Sequence, residues 1–167
     1  RHGEGGGEPY NSNDQTGWRL IDAVVEGPDL GNIVYRRSSG LRFFMLVLMK
    51  LARIILNELN DQNLIVLQEV DGERELIIAI GGFEARSIEY RARKERSPRP
   101  QTHDLLIHAI QELGGEVDSV AIVELLEKTY FARLRIRQGN QLLELDSRPS
   151  DAVAVATTFD PPLPIYV

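Results

Sequence analysis

The stretch 145–155 reads Leu-Asp-Ser-Arg-Pro-Ser-Asp-Ala-Val-Ala-Val and restricts the fold of this chain more than any other. Leu142, Leu143 and Leu145 are apolar and suit a strand, while Ala152 opens a run that suits a buried helix. The chain must therefore turn from strand to helix between Asp146 and Asp151. Two carboxylates, one guanidinium and two hydroxyls fall within that turn. Such a set suits an anion or a metal ion. The plainer reading is that Ser and Asp satisfy free backbone N–H groups at the helix start, where Pro also fits. Locally, capping is the commoner use of these residues.

The chain before this turn has a regular texture from residue 51 onward. Apolar runs at 51–59, 64–70 and 75–80 predict three strands, the last two joined by the hairpin signal Asp71-Gly72. Gly81-Gly82 breaks the pattern, and 83–94 reads as a helix with Ala85, Ile88 and Ala92 on one stripe. After Ser97-Pro98-Arg99-Pro100, Thr102 suits an N-cap for a helix over 103–113 that Gly114-Gly115 closes. Its predicted buried face is Leu105, Leu106, Ala109, Ile110 and Leu113. Strands follow at 117–126, 129–137 and 141–146, the last pair turning at Gly139-Asn140. Helix 150–158 and a short strand 164–167 complete the order. Three strands and a helix thus occur twice, with an acid followed by Ala opening each helix, so Glu84 corresponds to Asp151. The expected fold is α+β: duplicated βββα halves forming a mixed sheet with helices packed on it, linked by the helix 103–113.

Residues 1–48 differ. Eight of the 14 glycines lie in the first 40 residues, and no hydrophobic period persists there. The first Met is Met45. A disordered or non-native N-terminal arm is the expectation for 1–48, with an ordered domain over 49–167. The run 43–49 is too short to span a bilayer, so no membrane association and a cytoplasmic location are expected. With no Cys, thiolate metal sites are excluded. The net charge of −6 gives little long-range attraction to nucleic acid, so binding of that kind needs a local basic patch.

Three separated motifs carry a resemblance. Pro98-Arg99-Pro100-Gln101-Thr102-His103-Asp104-Leu105-Leu106, then Glu112-Leu113-Gly114-Gly115, then Asp146-Ser147-Arg148-Pro149-Ser150-Asp151-Ala152 resemble the bifunctional nuclease domain family, as does the turn Gly81-Gly82-Phe83-Glu84-Ala85. The resemblance covers about 49–167. It implies a compact α+β domain, a homodimer, and activity on both DNA and RNA. Family members often continue past the last strand, so a missing C-terminal segment or extra domain is one expectation.

Phosphodiester hydrolysis needs an activated water and charge stabilisation on the phosphoryl oxygens, which divalent ions held by carboxylates supply. Mg2+ or Mn2+ is the expected cofactor, with Glu84, Asp146 and Asp151 as candidate ligands. His103, Asp104, Asp146, Arg148, Ser150 and Asp151 are the candidate catalytic residues. His103 is the candidate general base, and Arg148 the candidate phosphate contact. Ser150 has no histidine near it in sequence and is a poor nucleophile. His103 and His108 are five apart, about 140° around a helix, which argues against a zinc pair. Arg91, Arg93, Lys94, Arg96 and Arg99 form one candidate nucleic-acid surface. Arg133, Arg135 and Arg137 form another, on the predicted outer face of strand 129–137. The alternative is a non-catalytic dimeric binding or regulatory module, in which the acids favour helix starts, Arg148 pairs with Asp104 or Asp151, and the hydroxyls cap.

Overall fold

A computed structural model of the chain describes residues 18–22, 34–35, 44–57, 62–95 and 97–167, with side chains described from residue 46 onward. Most of the expected arm 1–48 lies outside the described residues, as does Arg96. The elements run β1 (Trp18–Asp22), β2 (Val34–Tyr35), β3 (Phe44–Met45), β4 (Leu48–Asn57), β5 (Asn63–Glu69), β6 (Glu75–Ile80), α1 (Gly82–Ala92) and α2 (Thr102–Glu112). Then follow β7 (Glu116–Leu126), β8 (Thr129–Gln138), β9 (Gln141–Ser147), α3 (Pro149–Ala156) and β10 (Ile165–Tyr166).

The α+β class and the mixed sheet are both present. The sheet runs β6-β5-β4-β10-β7-β8-β9. Short β10 joins the two three-stranded meanders: Ile165 faces Met49 in antiparallel β4 and Val120 in parallel β7. β1 lies along the far half of β4, with Trp18 opposite Asn57 and Asp22 opposite Arg53, and brings the sheet to eight strands. β2 and β3 pair separately. A register shift between Leu51 and Arg53 lets Leu51 and Ile54, three apart in sequence, both enter the core.

α3 is the centre of the helical layer. It touches α1 and α2 as well as β7 and β8. Seven of its eight residues are buried, and only Asp151 is half-exposed. Its short Ala and Val side chains suit a helix enclosed on several sides. α1 buries Ala85 and Ile88 against β4 and β5.

α2 departs from the sequence reading. Of the predicted face only Ile110 is buried, joined by Ile107, whereas Leu105, Leu106, Ala109 and Leu113 are exposed. Ile107 and Ile110 share a side with His103 at helical spacing, and α2 meets α3 and β7. The richer apolar stripe therefore faces outward. The N-cap is Gln101 and not Thr102. Gln101 N–H donates to Asp104 Oδ2 at 2.7 Å, and the Gln101 side chain caps in return. Gly114, at φ 78°, takes the left-handed turn that ends α2.

Candidate active site at three helix starts

Glu84, Asp104 and Asp151 each sit in the first turn of their helix, where unpaired backbone N–H groups favour negative charge. The packing of α3 beside α1 and α2 brings these starts together. Arg148, the residue before α3, links two of them. Its Nη1 donates to Glu84 Oε1 at 2.7 Å, while Nε and Nη2 donate to Asp151 Oδ2 and Oδ1 at 2.8 and 3.1 Å. This is the planar two-bond grip that guanidinium and carboxylate favour. Arg148 keeps 65% of its side chain exposed, against 21% for Glu84 and 31% for Asp151. One cation is thus fixed by acids from two helices while most of it faces solvent.

The titration of these groups follows the geometry. Hydrogen bonds first to Asp151 and then to Glu84 raise the Arg148 pKa further above its ordinary value. Partial burial pushes the Asp151 carboxyl up. Hydrogen bonds from Arg148 and His103, with the charge of Arg148, outweigh that push and hold Asp151 below the ordinary carboxylate value.

From Asp151 the network runs inward. His103 Nε2 lies 3.4 Å from Asp151 Oδ1, and Ser87 Oγ lies 3.2 Å from His103 Nδ1. Behind Ser87 is Arg91, with only 5% of its side chain exposed. Arg91 Nε donates to Thr158 Oγ1 at 2.5 Å and Nη2 to Asp104 Oδ1 at 3.1 Å. Nη1 donates to Gln101 Oε1 at 2.8 Å, to Ser87 O at 3.2 Å and to Ser87 Oγ at 3.3 Å. Arg91 and Asp104 also line a cleft of about 850 Å³ with Tyr90, Arg99, His108 and Phe159.

Five of the catalytic and metal-ligand candidates therefore meet: Glu84, His103, Asp104, Arg148 and Asp151. Arg148 pairs with Asp151 and not with Asp104. Asp146 stands apart, 71% exposed and paired with Arg133 on the β8–β9 ladder. Ser150 is buried at 6%, inside α3 and away from solvent. Ser87, Gln101 and Thr158 are additional members. The spacing of Glu84, Ser87 and Arg91 along one helix face is the sequence signal that could have found Ser87.

The basic surfaces differ from expectation. Arg91 is buried with its donors engaged. Arg93 pairs with Glu89 at 2.8 Å and Lys94 with Asp160 at 3.2 Å, leaving Arg99 exposed at the cleft. On β8 the predicted basic outer face is a ladder of ion pairs. Arg133 pairs with Asp146, Arg135 with Glu144 at 3.1 Å, and Arg137 with Asp118. Arg135 is buried at 2%, with its guanidinium 5.8 Å from the Tyr166 ring centre.

The acids offered as metal ligands do not form one donor set. Asp146 is elsewhere, and Glu84 and Asp151 converge on the Arg148 guanidinium. Among the described residues, no three His, Cys, Asp or Glu side chains are grouped to hold a metal ion.

Comparison with known proteins agrees with the motifs. The family model for the bifunctional nuclease domain matches residues 65–167. An uncharacterized protein of Mycobacterium tuberculosis is 38% identical over 107 residues, which is 64% of this chain and 62% of that protein. Bifunctional nuclease 1 of Oryza sativa subsp. japonica is 33% identical over 108 residues, covering 62% of this chain and 32% of the rice protein. The Bifunctional nuclease of Oryza minuta matches to the same extent. The chain spans less than two thirds of the length of each of these relatives. The chain belongs to the bifunctional nuclease domain family.

Proposed function

We propose that this chain is a nuclease of broad specificity that hydrolyses phosphodiester bonds in DNA and RNA, with Arg148 as the residue that meets the phosphate. The observation carrying this reading is that Arg148 is held by two acids yet remains mostly exposed. Three of its five N–H groups are engaged, leaving one on each Nη for phosphate oxygens. A guanidinium already oriented costs little reorganisation as charge develops on the phosphoryl group.

Two carboxylates and one guanidinium leave the cluster with a net negative charge, so an incoming phosphate needs another cation. Mg2+ or Mn2+ accompanying the substrate phosphates supplies it, since such ions bind through phosphate oxygens and one or two carboxylates. Among the described residues the donor set fits no resident ion. A cytoplasmic location is part of the proposal. Among the described residues, no helix is long and apolar enough to cross a membrane.

The test is cutting of labelled single- and double-stranded DNA and RNA by the full chain with Mg2+, Mn2+ or chelator, beside Arg148→Ala and Arg148→Lys. Both variants are expected to lose cutting, because Lys restores the charge but not the planar fork. Melting should shift by less than about 1 kcal/mol, because exposed pairs stabilise weakly. Equal cutting by Arg148→Ala would remove Arg148 from the chemistry.

The buried inner half of the network favours a second reading, a non-catalytic regulatory or binding module in which these contacts only fix helix starts. That reading takes over if the parent chain binds nucleic acid without cutting it. In either reading we propose a homodimer. Val123, Leu125 and Leu126 are exposed at 43%, 55% and 54% near the β7–β8 tip, and Leu142, Leu143 and Leu145 are exposed on edge strand β9. Sedimentation should give twice the chain mass, and Leu125→Asp should reduce it to one.

A further inference from the structure

We infer that His103 is a positioning residue, a hydrogen-bond donor that holds Asp151, and not the proton-transferring base. The inference rests on the nuclease reading only for its activity test. A guanidinium donates and cannot accept, so in its contact with Arg91 Nη1 the Ser87 oxygen is the acceptor. The single Ser87 hydroxyl hydrogen is then available for His103 Nδ1, 3.2 Å away. When Ser87 donates that hydrogen, Nδ1 is the accepting, bare nitrogen of the ring.

The other side of the ring leads to the same proton placement. His103 Nε2 faces Asp151 Oδ1 at 3.4 Å, and an ionised carboxylate only accepts. The proton therefore belongs on Nε2. Charged groups around the ring are Asp151 from α3, Arg91 behind Ser87 from α1, and Asp104 next along α2. Asp151 specifies the tautomer, and the Ser87 hydroxyl completes it as donor, with the ring hydrogen on the side of the exposed cluster.

This arrangement removes His103 from base chemistry. A general base needs a bare nitrogen within reach of a water. The bare nitrogen here is covered by Ser87, and the ring as a whole is only 14% exposed. What the ring can do is donate to Asp151 Oδ1 while Arg148 donates to both Asp151 oxygens. The sequence of contacts from Ser87 through His103 and Asp151 to Arg148 fixes the plane of the guanidinium that solvent sees. Ser87, which no sequence motif singles out, sets that geometry at its inner end.

The full chain has three histidines, so ring signals of nitrogen-15-labelled protein are few, and His103→Gln assigns those of residue 103 by their loss. In the neutral ring the proton should sit on Nε2, with Nδ1 bare and hydrogen-bonded. Ser87→Ala should move the Nδ1 signal toward that of a free acceptor, and Ser87→Thr, which keeps the hydroxyl, should restore it. A proton on Nδ1, or a bare Nε2, overturns the inference.

Activity gives a second readout. Gln places an amide N–H near the position of Nε2 but cannot shuttle a proton. His103→Gln should therefore keep cutting to within about tenfold, whereas His103→Ala should lose on the order of 100-fold through misplacement of Asp151 and Arg148. A loss for His103→Gln as large as that for His103→Ala, in the range of about 100- to 10,000-fold, would mark proton transfer and overturn the inference. If the parent chain cuts nothing, the nuclease reading fails, and the ring measurement alone decides the role of His103.

Discussion

Replacing Arg91 by Ala should cost this protein much of its stability, and the structure allows the size to be worked out. The side chain is 5% exposed and donates to Thr158, Ser87, Gln101 and Asp104. Truncation leaves those acceptors without a donor and opens space between α1, the segment after α3 and the start of α2. Removing one partner of a buried ion pair costs about 3–5 kcal/mol. The cost here is lowered because Asp104 is 27% exposed and lines the cleft, so water can reach its carboxylate. A loss of about 2–4 kcal/mol follows, with each stranded neutral acceptor accounting for roughly 1 kcal/mol. For an ordered region of this size, about 4 °C of melting temperature accompanies each kcal/mol, so Arg91→Ala should melt about 8–16 °C lower. Chemical denaturation read by circular dichroism gives the free energy, and the slope against denaturant should stay unchanged. A cycle with Asp104→Ala isolates the pair and should return a coupling of at least about 1 kcal/mol. A variant within about 1 kcal/mol of the parent, or an uncoupled cycle, would show that the guanidinium is better hydrated than its burial implies, and the reasoning would fail.

Three further outcomes follow from the same contacts. Asp151 has a folded pKa below its unfolded one, so its contribution to stability is complete above about pH 4 and is lost as pH falls through the lower folded value. Asp151→Asn should therefore flatten the fall of melting temperature below about pH 4, and an unchanged acid slope would contradict the assignment. Gly115→Ala should destabilise by about 1–3 kcal/mol through crowding, since an added Cβ would lie 2.9 Å from Ile136 Cγ2 and 3.1 Å from Ile110 Cγ2. A parent-like melt would mean that these isoleucines give way freely. Ser150→Ala should leave nucleic-acid cutting unchanged because Ser150 is buried within α3, and loss of cutting with an intact melt would return it to the chemistry.

The elements themselves were legible because their signals are local. Alternation, paired glycines and helical stripes mark β4 to β9 and all three helices to within a few residues. What the stripes cannot decide is which of two apolar faces a helix buries, as α2 shows. Leu105, Leu106 and Leu113 are more numerous, yet Ile107 and Ile110 face the sheet. The partner of a charged strand was legible in principle. The turn at Gly139-Asn140 pairs Gln138 with Gln141, and counting back from it places Arg135 opposite Glu144 and Arg133 opposite Asp146. Reading the arginines of β8 without that register turns a ladder of ion pairs into a basic surface. The meeting of Glu84, His103 and Asp151 is different in kind, since it requires α3 to lie beside both α1 and α2, a tertiary fact that no local period encodes.

The two arginines of the network show why residue type alone could not assign roles. Arg91 and Arg148 both bind a helix-start acid, and either could be read from sequence as a phosphate contact. Arg91 is 5% exposed with every nitrogen donating, so it is held as part of the interior and its loss should appear as instability. Arg148 is 65% exposed with a donor remaining on each Nη, so under the proposed nuclease reading its loss should appear in binding or turnover while the fold survives. His103 lies between them, in contact with Ser87 on one side and Asp151 on the other. A variant series that lowers melting at residue 91 and cutting at residue 148 would separate the scaffold of this site from its reactive face. If both positions affected only melting, the whole network would be scaffold, and the chemistry of the domain would have to be sought at the cleft beside Arg99.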